Sequence, residues 1–362
     1  MRFIQAFLVS ALALFIASCS FSTGDGVAIP TGQVPAFAYV ANGSDNTFSI
    51  YRINANTGEL TALGVSSNTT GSQPISMSVD PRGKYLYAVE GALKVVSYTI
   101  DATTGQLGVV SVLATDPDAN AVYIDPRGNF IYVTNLNNAS VSVYSINNNS
   151  GELTLSGTST TSGTDASAIK FDPMSRFAYA TSFVDNAIAV YAINSTTGLL
   201  TAIGGPLAAG NAPSAISIDP TGKFVYAMNS ADGTISSYGM DASTGTLSLI
   251  GVPIATDLTP VGIQIDPSGK FLYALNQAFG SIWAFAIDSS TGALSDILAP
   301  VATEPQPAAF GIDPSGKFLY VASGVNTVSG YSINSTTGAL SSLGAPIATG
   351  SQPMAISIAP RQ

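Results

Sequence analysis

From residue 36 to residue 359, apolar and polar positions alternate in short runs with a period of two, and no stretch follows the 3.6-residue rhythm of a helix. The clearest run reads Ile265-Asp-Pro-Ser-Gly-Lys-Phe-Leu-Tyr-Ala-Leu-Asn276. It predicts a strand, a tight turn and a second strand. Asp266 caps the turn, Pro267 sets its first central dihedral and Gly269 supplies a left-handed residue. Phe271 and Tyr273 then fall on one face of the outgoing strand.

The phrase returns with Asp-Pro at Asp80, Asp125, Asp172, Asp219, Asp266 and Asp313, at intervals of 45, 47, 47, 47 and 47 residues. A second turn, Asn or Asp followed three residues later by Thr or Ser and then Gly, keeps the same period from Asn54–Gly58 to Asn334–Gly338. Each unit therefore holds four strands, named a to d, with Asp-Pro between a and b. Such a period means a propeller or a solenoid. Residues 36–63 supply b, c and d without an a strand, and Met354–Ile358 supplies an a strand alone, ending in Ala359-Pro360. Six complete units plus these two fragments predict an all-β, seven-bladed β-propeller, closed by pairing the C-terminal strand with the N-terminal blade. A solenoid needs capping repeats, and none is present in the sequence.

Strand a carries a small residue at one recurring position: Ser76, Ala121, Ala168, Ala215, Gly262, Ala309 and Ala355. Close packing between neighbouring blades requires this. Strand b carries seven aromatic pairs, from Phe37/Tyr39 to Phe318/Tyr320. An aromatic stripe can stack sugars or bases, but one that recurs in every blade reads as core.

The chain has 362 residues, a formal charge of -10 and only 9% charged residues. An acidic chain of this kind argues against nucleic-acid binding, which needs Lys and Arg against phosphate. Arg2 and the apolar run Phe3–Phe15 have the form of a signal peptide. Ile16-Ala17-Ser18-Cys19 resembles a bacterial lipobox, with Cys19 as the acylated first mature residue; the other reading is an ordinary signal peptide with an incidental cysteine. The expected organisation is a leader at 1–18, an acylated tether at 19–35 and a propeller at 36–362. The expected location is the bacterial envelope, at the outer membrane by the Ser20 sorting pattern, as a monomer anchored through lipid.

Tyr132-Val-Thr-Asn135 matches the YVTN repeat signature, and Tyr39-Val-Ala-Asn42 is a near copy. With the Asp-Pro-x-Gly-Lys turn, the chain resembles the lactonase-like seven-bladed propellers across residues 36–359. That family includes 6-phosphogluconolactonase-like and muconate-lactonising enzymes as well as cell-surface proteins. The muconate-lactonising members rely on His, Glu and Arg, and this chain has no histidine. The WD40 signature is absent too.

Without histidine there is no Ser-His-Asp triad, no His-ligated zinc and no ordinary neutral-pH base. The single cysteine is assigned to lipid, and no cofactor or metal is called for. Alternating strand directions put the a–b and c–d turns on one face and the b–c and d–a loops on the other. The a–b turns carry Arg82, Lys84, Arg127, Arg176, Lys223, Lys270 and Lys317, read as surface pairs with their turn aspartates rather than as an anion site. The loop face carries Asp45, Glu90, Asp116, Asp118, Asp165, Asp185, Asp232, Asp257 and Glu304, with Lys94 as its clear cation. A phosphorylated or carboxylated ligand needs more fixed cations than this face offers. Strand b ends in Asn42, Glu90, Asn135, Ser182, Asn229, Asn276 and Ser323, either a polar ring about the channel or simple strand-ending Asx turns. Asn42, Glu90, Asn135, Asn229, Asn276 and Glu304 are the candidate ligand or partner face, with Glu90 and Glu304 the candidates for a base or cation ligand. Two functions stay open: a non-catalytic envelope binding module presenting its acidic face to a protein or glycan, and a lactonase acting on an uncharged lactone.

Overall fold

The computed structural model describes residues 36–67, 70–136, 138–161, 163, 165–256, 260–297 and 299–362. Cys19, the leader and the 20–35 segment lie outside the described residues, as does Asp257. Seven antiparallel sheets form the propeller. Blade 5 shows the common plan: a, Pro213–Ile218; b, Phe224–Asn229; c, Thr234–Met240; d, Leu247–Ala255. Counting blades from the N-terminus, blade 1 consists of Ala36–Asn42, Thr47–Ile53 and Leu60–Ser67, and its a strand is the C-terminal Pro353–Ala359. Tyr39 lies opposite Ser357 and Val40 opposite Ile356, so the ring closes as the strand count predicts. In blades 4, 6 and 7 strand d is broken in two, as at Leu200–Ala202 and Leu207–Ala208. Pro206, Pro300 and Pro346 fall in these breaks; proline lacks a ladder donor and is tolerated on this outer edge.

The Asp-Pro turn owes its shape to the carboxylate. Asp266 Oδ1 accepts the amides of Lys270 (3.0 Å) and Phe271 (2.8 Å), and Oδ2 accepts the amide and hydroxyl of Ser268. The Gly269 amide closes the turn onto the Asp266 carbonyl at 2.9 Å. All six turn aspartates are buried. With their oxygens taken by backbone amides, they do not pair generally with the neighbouring cations. Among the described residues only Arg82–Asp80 (3.8 Å) and Arg176–Asp172 (3.3 Å) lie within ion-pair distance. The expected ring of surface pairs is reduced to two.

In six of the seven blades a strand-b tyrosine latches onto the next blade, Tyr87 of blade 2 having no hydrogen-bond partner for its hydroxyl among the described residues. Tyr39 Oη donates to the Gly105 carbonyl (2.8 Å), Tyr226 to Gly292 (2.9 Å) and Tyr320 of blade 7 to Gly58 of blade 1 (2.7 Å). Each latch is worth about 1 kcal/mol net, while leaving a buried partner unsatisfied costs about 1–3. The phenylalanine two residues earlier packs on the same turn. A Cβ added at Gly292 (φ 74°) would stand 2.3 Å from the Phe224 ring. The aromatic pairs are therefore core, and burying each such side chain contributes about 1.5–3 kcal/mol.

Candidate functional site

Strand a has a partner on one edge only, strand b, so its other edge faces the propeller axis. The strands a enclose a channel of about 620 Å³. Its lining runs from Ile75, Asn120 and Met354 near the loop face to Ile312 and Ile358 near the turns. The bare edge is partly satisfied between blades. Ser357 Oγ accepts the Val79 amide (3.3 Å), Ser76 Oγ the Val122 amide (3.1 Å) and Gln264 Oε1 the Ile312 amide (3.1 Å). Ser76 is one of the recurrent small positions, so that series serves both blade packing and the channel wall.

Two residues before each Asp-Pro site, the seven blades present Ser78, Tyr123, Lys170, Ser217, Gln264, Gly311 and Ser357, all lining the channel. Lys170 is the one charged residue among the lining residues. Its ammonium lies 5.9 Å from the centroid of the Tyr123 ring, and no hydrogen bond or ion pair engages it among the described residues. The side chain is exposed to channel solvent, and desolvation by the surrounding channel wall lowers its pKa below the ordinary lysine value. Burial pushes Tyr123 up to about 12, partly offset by the Ile169 amide, so its phenol stays protonated near neutrality.

The strand-b ends are placed otherwise than a ligand face requires. Asn42, Glu90, Asn135, Asn229 and Asn276 are all fully buried beneath the loops. Asn229 Nδ2 donates to Thr234 Oγ1 (3.0 Å) and Ser236 Oγ (2.9 Å), a fork repeated by Asn42 on Thr47 and Ser49 and by Asn135 on Ser140 and Ser142. The d–a loop packs directly on top: a Cβ at Gly210 would meet the Asn229 amide at 2.5 Å. In blade 6 Trp283 stands where that fork has its second serine, and neither amide atom of Asn276 has a hydrogen-bond partner among the described residues.

Glu90 is held inside its blade. Its Oε1 accepts the Tyr98 hydroxyl at 2.5 Å and its Oε2 accepts the Thr70 hydroxyl. The corresponding tyrosines Tyr51 and Tyr331 donate instead to carbonyls of the preceding blade, Ala348 and Ala302. Glu90 thus draws Tyr98 inward, and burial, then the hydrogen bond and charge of Glu90, raise the Tyr98 pKa. A carboxylate so engaged is poorly placed to take a proton from a surface ligand. Glu304 is half-buried in the d–a loop before blade 7. Other loop-face acids stitch loops together: Asp232 accepts the Asn211 amide at 2.7 Å, and the Ser182 hydroxyl lies 2.6 Å from both Asp165 Oδ1 and Asp185 Oδ2, donating its one proton to either. Among the described residues no cluster of three acidic or thiol ligands is arranged for a metal.

The family described as Lactonase, 7-bladed beta-propeller matches residues 26–116, 158–261 and 256–358. The chain belongs to this family. A 6-phosphogluconolactonase of Bacillus subtilis (strain 168) is 28% identical over 130 residues, which is 34% of this chain. The match spans 37% of that relative's length. A Bacteroides uniformis crystal structure, provisionally named a 6-phosphogluconolactonase, superposes with a TM-score of 0.81 at 22% identity, over 90% of this chain and 100% of that one. The periplasmic gluconolactonase of Pseudomonas aeruginosa gives 0.76 at 17%, over 91% and 100%. These two likenesses carry the fold.

Membership in the lactonase family corrects the expectation of a non-catalytic binding module. That reading rested on the missing histidine and on the scarcity of cations at the loop face, and neither observation concerns the channel. Lys170 escaped notice because a lone lysine in an alternating strand looks like an ordinary exposed residue. Superposing the repeat units would have singled it out, since at its position the other blades have Ser, Tyr, Gln or Gly.

Proposed function

We propose that this lactonase-family chain hydrolyses an uncharged lactone inside the central channel. One observation carries the reading: the channel is large enough for a small ring compound, and its wall is polar yet holds a single charge, Lys170. A site that orients a small ring compound needs a few convergent polar groups on its wall. Ser78, Ser217, Gln264, Tyr123 and Asn120 supply uncharged donors and acceptors for a hydroxylated ring. A phosphorylated lactone would bring two charges to a wall with one cation, so the neutral substrate is favoured. The family match and the name of the Bacillus relative support the reaction class. The envelope address also belongs to this proposal. Anchoring through acylated Cys19 rests on the lipobox resemblance, and palmitate labelling of the wild type that persists in Cys19→Ser would refute it.

The test is turnover above the spontaneous rate for glucono-δ-lactone, γ-butyrolactone and 6-phosphogluconolactone. Faster hydrolysis of a neutral lactone is expected. Inertness towards all three would sink the reading, and preference for the phosphorylated substrate would sink its uncharged part.

A further inference from the structure

Lys170 has no hydrogen-bond or ion-pair partner among the described residues. The groups facing it from the elements packed around it are Tyr123 on the a strand of blade 3, Ser217 on that of blade 5 and Tyr179 across the a–b ladder of its own blade. Tyr123 offers its ring, and Tyr179 spends its hydroxyl on the Gly245 carbonyl at 2.8 Å. The nearby turn carboxylates are occupied as well. Asp172 is held by the amides of Met174 and Phe177 and by Arg176, and Asp125 by the Arg127 and Phe130 amides and the Ser175 hydroxyl. An unpaired ammonium exposed to the solvent of a narrow channel can donate charge-assisted hydrogen bonds to an incoming anion.

We infer that Lys170 is the anion-recognition point of the channel, binding the carboxylate of a small hydroxy acid and the oxyanion that precedes it. The inference deepens the lactonase reading and rests on it for the oxyanion alone. In hydrolysis, water forms a bond to the acyl carbon and the bond from that carbon to the ring oxygen breaks. One water proton goes to the departing ring oxygen, and at neutral pH the other goes to solvent, leaving the carboxylate. The Lys170 ammonium donates a hydrogen bond to the anionic oxygen throughout and keeps its own protons. The same contact that favours the tetrahedral oxyanion holds the carboxylate product, so the hydroxy acid should act as a product inhibitor.

Binding of gluconate and 4-hydroxybutyrate to the full chain is measured by calorimetry for wild type, Lys170→Met and Lys170→Arg, with glucitol as the uncharged control and thermal melts to confirm folding. Both acids are expected to bind the wild type, Lys170→Met at least tenfold more weakly, and Lys170→Arg within a few fold of wild type. Glucitol should not distinguish the three. Absence of acid binding to wild type, or equal binding to wild type and Lys170→Met, overturns the inference. Lys170-dependent acid binding without turnover of any lactone would leave this site standing and remove the lactonase reading. Lactone turnover with acid binding indifferent to position 170 would do the reverse.

Discussion

Two rings of seven equivalent positions divide the labour in this propeller. The ring of Asp-Pro turns is chemically uniform: six of its seven members are buried aspartates holding backbone amides of their own turn, and only Ala359, at the closure, departs. The ring two residues earlier, in the channel, is varied, with Ser at three positions and Tyr, Lys, Gln and Gly at the other four. Uniformity marks what each blade must do for itself. Variation at fixed geometry marks positions released from folding, and there a single lysine can be exposed to a ligand without disturbing the repeat. The two rings are two residues apart in sequence, yet they answer to different constraints.

The comparison breaks most completely where the repeat depends on a distant strand. Removing residues 353–362 deletes the a strand of blade 1, exposes the edge of Ala36–Asn42 and opens the channel wall at Ser357. The truncated chain is expected to lose its cooperative melt and to self-associate, as read by calorimetry and size exclusion. A monomer with an unchanged melting curve would contradict closure by that strand. Next in size is Gly292→Ala. Its Cβ would enter the Phe224 ring at a positive φ, and a loss of about 3 kcal/mol is expected from overpacking and backbone strain together. Gly204→Ala, also at positive φ but with open space around its Cβ, should lose only about 1 kcal/mol. Equal losses in urea unfolding would show that strain alone, not the latch contact, makes the c–d glycine necessary.

Glu90 sharpens the contrast from the other side, as a varied residue inside the uniform scaffold. Glu90→Gln replaces a charged acceptor of two hydroxyls by a neutral one, and a loss of about 2 kcal/mol is expected, with lactone turnover within twofold of wild type. A collapse of turnover at unchanged stability would return Glu90 to the chemistry.

These residues also tell how far the chain could be read before its structure. Strand pairs, turn chemistry and closure were all legible, because each is written in contiguous residues: Asp266 acts on amides within five positions of itself. The channel ring was not, since its members lie some 47 residues apart and acquire meaning only when seven strands converge. Glu90 misled in the opposite sense. A carboxylate at a strand end beside a short loop reads as exposed, and nothing local announces that Thr70 and Tyr98 close over it. The turn cations misled similarly, because adjacency to aspartate in sequence suggested ion pairs that the backbone amides had already displaced.

The smallest expected effect lies on the outer rim, in the c–d turns, where uniform chemistry meets solvent. Asp241 is fully exposed, yet its carboxylate accepts the Ser243 hydroxyl (2.6 Å) and the amides of Ser243 (2.8 Å) and Thr244 (3.1 Å). Those bonds, the Ser243 hydroxyl foremost, lower its pKa to about 2. A carboxylate whose folded pKa lies below its unfolded value near ~3.9 contributes stability that is present above that value and lost as pH falls through the folded pKa. The window here is therefore about pH 4 down to about pH 2. Asp241→Asn keeps the turn-forming side chain but has no charge to titrate. The melting temperature of wild type should exceed that of Asp241→Asn slightly above pH 4.5, and the gap should close towards pH 2. Salt should shrink the gap at neutral pH, since the group is solvent-screened. A gap that ignores both pH and salt would mean that the c–d turn is held by side-chain shape alone, and that the asparagines at Asn54, Asn147, Asn194 and Asn334 are full equivalents of the aspartates they replace.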